Sequence, residues 1–125
     1  MNTIVYFEIQ ATEPRSVLDF YKKIFGWEFE KQEGIPIEYW HIKTGGISGG
    51  LLKRPAKRPP QEFGTNSFVC SIEVKDFDDI QNMILQNGGS VALLKFAIPG
   101  KCWQGYFIDI DGNTFGIFQA DPSAK

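Results

Sequence analysis

The stretch TIVYFEIQATEPRSVLDFYKKIFG, residues 3–26, contains a strand pattern, a helix start, an amphipathic helix and a glycine stop, in that order. The same order returns 63 positions later in SFVCSIEVKDFDDIQNMILQNGG, residues 67–89. A period of about 60 residues is longer than that of solenoid repeats, which runs roughly 20–50 residues. The two copies therefore predict a duplicated module, and a pseudo-symmetric fold with a cleft where the copies face each other.

The strand pattern of residues 3–10 has two different faces. Near its end, Phe7 and Ile9 point one way, while Tyr6 and Glu8 point the other. Because successive side chains alternate across a strand, the two apolar residues are predicted to pack against the helix. This leaves Tyr6 and Glu8 on the opposite, concave side.

The helix that follows is marked at both ends. Thr12 is the predicted N-cap, Glu13 and Pro14 open the first turn, and Gly26 stops the helix. The predicted apolar face follows helical spacing and consists of Val17, Phe20, Tyr21 and Ile24.

Each copy continues with three further strand patterns. In the first copy they cover residues 27–32, 37–43 and 47–53. The second copy has a strand over residues 67–74, a helix from Asp76 to Gln86, and strands over residues 90–96, 103–110 and 113–119. The order βαβββ, found twice, predicts an α+β fold in which each helix covers one face of a sheet.

The length of 125 residues fits a single domain built from two halves. The first module is predicted over residues 1–53, and the second over residues 67–125. The Pro- and Lys/Arg-rich residues 54–66 between them are predicted to form a linker. A basic cluster at the start of this linker (Lys53, Arg54, Lys57 and Arg58) is interrupted by prolines and is interpreted as solvated rather than as a binding patch.

Charge and hydropathy exclude several classes of partner. The net charge is −2, with a pI of about 5.4, so the chain has no electrostatic footprint for nucleic acid. Neither a signal peptide nor an apolar run long enough to span a membrane is found, so the cytoplasm is the predicted location. Cys70 lies in an apolar strand pattern and is predicted to be a small core residue.

Three segments carry the likeness to a known family. They are residues 7–9 (FEI) with 19–27 (DFYKKIFGW), residues 74–76 (VKD) with 87–89 (NGG), and residues 107–116 (FIDIDGNTFG). Together with the duplicated βαβββ order, they resemble the vicinal oxygen chelate superfamily of glyoxalase I, bleomycin-resistance proteins and extradiol dioxygenases. The resemblance implies that the modules form incomplete barrels around a cavity whose concave faces bind a metal and a small substrate.

The resemblance also implies where metal ligands would lie. In the family, four ligands come from the first and last strands of the modules and are normally His, Glu or Gln. The matching positions here are Tyr6, Val69, Gly116 and either Gly49 or Gly50. Valine and glycine side chains have no donor atom, and one neutral tyrosine is a poor ligand. The chain is therefore predicted to lack the family's metal, and no cofactor is expected.

Two residues are candidates for acid–base chemistry. His41 is the only histidine, so neither a His-based triad nor a multi-histidine metal site can be built. It is either a histidine on a half-exposed strand or a pocket acid, base or hydrogen-bond donor. Glu8 could act as a base if it is buried in the cavity, and otherwise it is a surface or dimer-edge glutamate.

Aromatic and acidic residues give two further hypotheses. Trp40, Trp103 and Tyr106, together with Tyr6, could line a pocket for a flat ligand, and the alternative is core or interface packing. Asp109 and Asp111 could form an active-site carboxylate pair, but aspartates beside a tight turn more often stabilise that turn.

Two functions stay open from the sequence. The favoured one is a glyoxalase/bleomycin-resistance-like protein that binds a small organic molecule in the barrel cavity without the family's metal. The alternative is an atypical lyase, isomerase or dioxygenase relative that uses Glu8, Tyr6 or His41 as acid or base. The expected partners are a small-molecule ligand and a second copy of the chain in a homodimer.

Overall fold

The computed structural model describes residues 6–34, 36–54 and 69–125. The chain divides into two compact units, Met1–Pro59 and Pro60–Lys125, and each unit contains one βαβββ module. The duplicated α+β order predicted from the repeat is thereby confirmed. Residues 55–66 of the predicted linker, including Lys57 and Arg58, lie outside the described residues.

The first unit is a four-stranded mixed sheet with one helix. Its elements are β1 (Tyr6–Ala11), α1 (Pro14–Phe25), β2 (Glu28–Lys31), β3 (Tyr39–Lys43) and β4 (Ser48–Lys53). The strand order is β1-β4-β3-β2, in which β1 and β4 are parallel and the other pairs antiparallel. The sheet is open rather than closed, and β1 lies beside the strand that comes last in the module.

The second unit repeats this topology. Its elements are β5 (Ser71–Glu73), α2 (Phe77–Gln86), β6 (Ser90–Ile98), β7 (Cys102–Ile108) and β8 (Thr114–Ala120). The strand order is β5-β8-β7-β6, with β5 parallel to β8. The register between β6 and β7 shifts twice, between Val91 and Leu93 and between Leu93 and Phe96.

The predicted N-cap of α1 is wrong by one residue. Glu13 is the N-cap and Pro14 is the first helical residue, whereas Thr12 lies outside the helix. The proline decides this position, because it needs no backbone N–H at the first helical residue and keeps the residue before it out of the helical region. Gly26 ends the helix as predicted, with a left-handed φ of 70°.

The second helix starts with a side-chain cap. The carboxylate of Asp76 accepts a hydrogen bond of 3.0 Å from the backbone N–H of Asp79, so Asp76 is the N-cap rather than the first helical residue. Asp78 and Asp79 then place negative charge at the positive end of the helix dipole.

Each helix buries its apolar face on one side of its own sheet. The predicted face of α1 is confirmed, since all four of its residues are buried, as are Ile42 of β3 and Leu51 of β4. On α2, Phe77 and Ile84 are buried, and the ring of Phe107 lies between those of Phe77 and Phe115, with both centroid distances 6.1 Å.

The prediction that Cys70 is a core residue is wrong. Its side chain is exposed, because Cys70 precedes β5, which is an edge strand of its sheet and starts only at Ser71. Cys102 is the buried cysteine, and both thiols are free.

Candidate functional site

The face of the first sheet that is turned away from α1 gathers polar and aromatic side chains around one glycine. In register, Gly50 of β4 lies between Glu8 of β1 and His41 of β3. Tyr6 and Tyr39 belong to the same face, because they lie two residues from Glu8 and His41 on their strands. Strand order and register therefore bring together residues from β1, β3 and β4.

The register decides between the two glycines that the family resemblance left open. Gly50 lies on the polar face, where a Cβ would come within 2.9 Å of the Tyr6 hydroxyl and would occupy the place of the Tyr39 hydroxyl. Gly49 lies on the helix side, where a Cβ would be 2.6 Å from the Phe7 ring. The position that matches the family's ligand is therefore Gly50.

The polar side chains form a hydrogen-bonded series, named here the Tyr6–Tyr39–Glu8 chain. The two tyrosine hydroxyl oxygens are 2.7 Å apart. The Tyr39 hydroxyl also donates to Oε2 of Glu8 at 3.1 Å. The His41 ring lies beside this chain, with its centroid 6.5 Å from that of Tyr6. Only a glycine at position 50 leaves room for the Tyr39 hydroxyl.

Tyr39 is held in its protonated form. Partial burial, followed by the hydrogen bonds to Tyr6 and Glu8, raises the pKa of Tyr39 well above its ordinary value of 10.0. A tyrosinate at this place would lose its donated hydrogen bond and would face the Glu8 carboxylate. The hydroxyl is therefore a stable hydrogen-bond bridge rather than a nucleophile or a base.

A high-pH titration tests this bridge. The stabilisation from Tyr39 is complete below pH 10, where the folded and unfolded states both hold the proton. Above that pH the unfolded tyrosine ionises while the folded one stays protonated, so the free energy of unfolding falls. Urea unfolding between pH 8 and pH 11 should show a steeper loss for the unmodified protein than for Tyr39→Phe. Equal slopes would contradict the raised pKa.

The second sheet has an equivalent arrangement around Gly116. In register, Gly116 lies between Ser71 of β5 and Tyr106 of β7. The side-chain amide of Gln104 donates to the Ser71 hydroxyl at 3.0 Å. A Cβ at position 116 would be 2.5 Å from that hydroxyl and 2.7 Å from the amide nitrogen. In both units, a side chain from the third strand thus reaches over a glycine of the fourth strand to the first strand.

The residues at the family's metal positions do not fit a metal ion. Gly50 and Gly116 supply no donor atom, and the space where a longer side chain would start is filled by Tyr39 in one unit and by Gln104 with Ser71 in the other. Val69 is aliphatic, which leaves Tyr6 as the one matching residue with an oxygen. Among the described residues, no group of three or more His, Cys, Asp or Glu side chains could hold a metal ion.

The structure brings three of the predicted site residues together and corrects the placement of others. Tyr6, Glu8 and His41 share the polar face. Trp40 lies on the opposite face, where the Arg15 guanidinium of α1 is 5.3 Å from its ring centroid. Alternation along β3 causes this separation, because His41 and Trp40 are adjacent residues.

The tryptophan and tyrosine of β7 are separated in the same way. The Trp103 ring lies under Lys95, which also contacts Phe77 on the helix side. The Trp103 indole N–H donates to Asp121 at 3.0 Å. Tyr106 lies on the other face and stacks with Phe96 at a centroid distance of 6.4 Å. Trp103 and Tyr106 therefore do not line one common surface.

Glu8 is exposed, not buried as its hypothetical role as a base requires. Its carboxylate instead serves as the acceptor for Tyr39. Of the two acidic residues near the last hairpin, Asp109 stabilises the turn, which is the alternative that the sequence favoured. One oxygen of Asp109 accepts hydrogen bonds from the backbone N–H groups of Asp111 and Asn113, at 2.8 and 3.0 Å.

Tyr39 and Gln104 are functional candidates that sequence reasoning missed. For Tyr39 a signal was available, because it shares strand parity with His41 and lies opposite to the apolar pair Trp40 and Ile42. For Gln104 the signal is weaker, since a single glutamine in a strand pattern carries no specific chemistry. Its burial, at 5% exposure, is visible only in the structure.

A groove at the edge strand β2 is a further candidate surface. A shallow groove of about 370 Å³ lies at β2 and is lined by Lys22, Glu28, Phe29, Glu30 and Lys43. Its mixed charges differ from the apolar, aromatic lining expected of a pocket for a flat ligand.

Within the described part of the chain, neither helix is long and apolar enough to cross a membrane.

Solved structures with the same fold are numerous, at low sequence identity. A hypothetical protein, SA1046, from S. aureus is 19% identical with a TM-score of 0.72, covering 96% of this chain and 99% of its own. A glyoxalase/bleomycin resistance protein/dioxygenase family enzyme from Burkholderia phytofirmans PsJN is 20% identical with a TM-score of 0.70, at 94% and 98% coverage. The fosfomycin resistance protein FosX from Listeria monocytogenes is 11% identical with a TM-score of 0.78, at 97% and 93% coverage.

The sequence itself gives the family. No curated protein matches the chain. Residues 3–117, however, match the model of the Glyoxalase/Bleomycin resistance protein/Dioxygenase superfamily. The matched range covers almost all of both modules. The match agrees with the three segments that carry the likeness and with the duplicated βαβββ fold. The chain belongs to the Glyoxalase/Bleomycin resistance protein/Dioxygenase superfamily.

Proposed function

We propose that this protein binds a small organic molecule at the Tyr6–Tyr39–Glu8 chain without the family's metal. The observation that carries the proposal is the Tyr39 hydroxyl, which lies over Gly50 and joins two side chains of β1. This hydrogen-bonded chain lies where the family places metal ligands. Its oxygen atoms and aromatic rings provide the mixture of polar and apolar contacts on which small-molecule sites depend.

The exposure of Glu8 favours binding over catalysis. Glu8 is exposed and accepts the Tyr39 proton in a hydrogen bond, so it lacks the burial that would prepare it as a general base. Tyr39 is held protonated and gives no alternative base. The fold alone is a weak reason to assign any reaction, because one fold carries many functions.

The missing donor atoms at the family's ligand positions support a route without metal. A variant of FosX from Listeria monocytogenes was crystallised with Mn(II) and 1S,2S-dihydroxypropylphosphonic acid. That ligand is an anion bound in a protein that also holds a metal cation. The present chain has glycines at two of the family's ligand positions and valine at a third. The proposed ligand is therefore held by side chains of the protein.

A thermal-shift screen of small organic molecules tests the proposal. A molecule that binds only the folded state raises the free energy of unfolding, by about 2.7 kcal/mol at a concentration of 100 times Kd. The melting temperature should rise for the unmodified protein, and the shift should be lost in Tyr39→Phe. Asp19→Asn changes an exposed carboxylate of α1, on the helix side of the sheet, and should retain the shift.

Two controls separate binding from metal-dependent or catalytic activity. Treatment with EDTA should leave the shift unchanged, and elemental analysis of protein purified without a tag should find no stoichiometric divalent ion. Mass spectrometry should recover the ligand unaltered after incubation. A shift that requires an added divalent metal contradicts the proposal. An altered ligand instead favours the alternative, an enzyme that uses Tyr6, Glu8 or His41 in the reaction.

The homodimer and the cytoplasmic location stay predictions.

A further inference from the structure

We propose that the Tyr6–Tyr39–Glu8 chain selects a ligand with a protonated amine. The inference rests on the proposed function and adds the chemical class of the ligand. It follows from counting the protons that the chain has available. The count shows that the site offers acceptors and a negative charge, and no free donor from these three side chains.

The direction of the hydrogen bonds fixes the count. A carboxylate can only accept, so the single hydroxyl proton of Tyr39 goes to Glu8 at 3.1 Å. The 2.7 Å contact between the tyrosine oxygens must then use the proton of Tyr6. Both tyrosine protons are consumed inside the chain. What is left for a ligand is a lone pair on Tyr6 and the acceptor capacity of the Glu8 carboxylate.

The charges on this face of the sheet also favour a cationic ligand. Among the described residues, no lysine, arginine or histidine forms an ion pair with Glu8. In register, Glu30 of β2 lies opposite His41 and Glu28 lies opposite Lys43, so with Glu8 this face carries three carboxylates and one lysine. The exposed ring of Tyr6, which is 41% accessible, provides an aromatic surface for a cation.

An ammonium group meets these conditions better than other ligands do. It carries up to three N–H donors, and one carboxylate with one hydroxyl oxygen can satisfy most of them. Calcium requires six to eight oxygen ligands, more than this chain supplies. A ligand carboxylate or phosphonate would bring acceptors to acceptors and meet the Glu8 charge, which is a repulsive arrangement that favours amines over acids.

Matched probes test the inference. The probes are benzyl, cyclohexyl and pentyl compounds, each as the amine, the alcohol and the carboxylate, measured at pH 7 by isothermal titration calorimetry. At that pH the amines are protonated and the acids ionised. In every series that binds, the amine is expected to have a Kd at least tenfold lower than that of the carboxylate. Glu8→Gln should remove this preference, and Asp19→Asn, which removes one carboxylate on the helix side of the sheet, should retain it.

The possible outcomes separate this inference from the proposed function. If carboxylates bind as tightly as amines, the preference for a cation is overturned while the proposed binding function stands. If Glu8→Gln and the unmodified protein prefer amines equally, the assignment of this preference to the Tyr6–Tyr39–Glu8 chain is overturned. If no probe of any charge binds, in these series or in the thermal-shift screen, the proposed function fails as well.

Discussion

Replacing Phe107 with alanine is expected to lower the free energy of unfolding by about 3–5 kcal/mol, the usual cost of deleting a buried aromatic ring. Phe107 is fully buried, and its ring contacts both Phe77 of α2 and Phe115 of β8. Its loss leaves a cavity between helix and sheet that rigid neighbours fill only in part. Because whole domains are stable by only about 5–15 kcal/mol, this single change threatens the second unit.

Phe96 of β6 is the matched control for this prediction. It is also a phenylalanine of the second sheet, but it is 36% exposed and stacks with Tyr106 on the face away from α2. Phe96→Ala should therefore cost less than half as much as Phe107→Ala. Guanidinium unfolding followed by circular dichroism gives both values. Equal losses for the two variants would contradict the placement of the core on the helix side of the sheet.

Gly49→Ala is expected to destabilise the first unit by about 1–3 kcal/mol, as overpacking of a filled core does. The added Cβ would be 2.6–2.7 Å from three atoms of the Phe7 ring. That ring cannot move away freely, because it packs against Trp27 at a centroid distance of 5.8 Å. The loss is measurable as a lower midpoint in urea unfolding.

The neighbouring Gly50→Ala variant should show the opposite profile. Its Cβ would collide with the Tyr39 hydroxyl, which is the terminal group of a flexible side chain that can rotate away. We therefore expect a stability loss of about 1 kcal/mol or less, because water can replace the two exposed hydrogen bonds of Tyr39, together with loss of ligand binding. If Gly50→Ala binds ligand normally, the Tyr39 bridge is not part of the site. If Gly49→Ala is as stable as the unmodified protein, the register of β1 against β4 is contradicted.

These two glycines show how the chain differs from the metal-binding pattern that its family resemblance implies. A glutamate at position 50 would extend from the place that the Tyr39 hydroxyl now occupies. The metal pattern presents a cation to the ligand, whereas the Tyr6–Tyr39–Glu8 chain presents a carboxylate and lone pairs. The proposed preference for amines would therefore reverse the ligand charge that this scaffold position favours.

The sequence was sufficient to predict the elements of the fold. The alternation Tyr6, Phe7, Glu8, Ile9 separated the two faces of β1, and the apolar spacing of α1 identified its buried face. Gly26 marked the end of that helix, because its left-handed conformation suits glycine. Errors arose at the boundaries of elements. Pro14 moved the N-cap of α1 to Glu13, and β5 starts only after Cys70.

Strand pairing, in contrast, decided the candidate site. Tyr39 and Glu8 are 31 positions apart, and they meet only because β4 lies between β1 and β3. A shift of one residue in that pairing would place Gly49 instead of Gly50 on the polar face, and Trp40 instead of Tyr39. The sequence by itself determined the family, the modules and the missing donors at the metal positions. The tertiary structure alone decided what occupies those positions, because hydrogen bonds between strands depend on register, which local sequence does not encode.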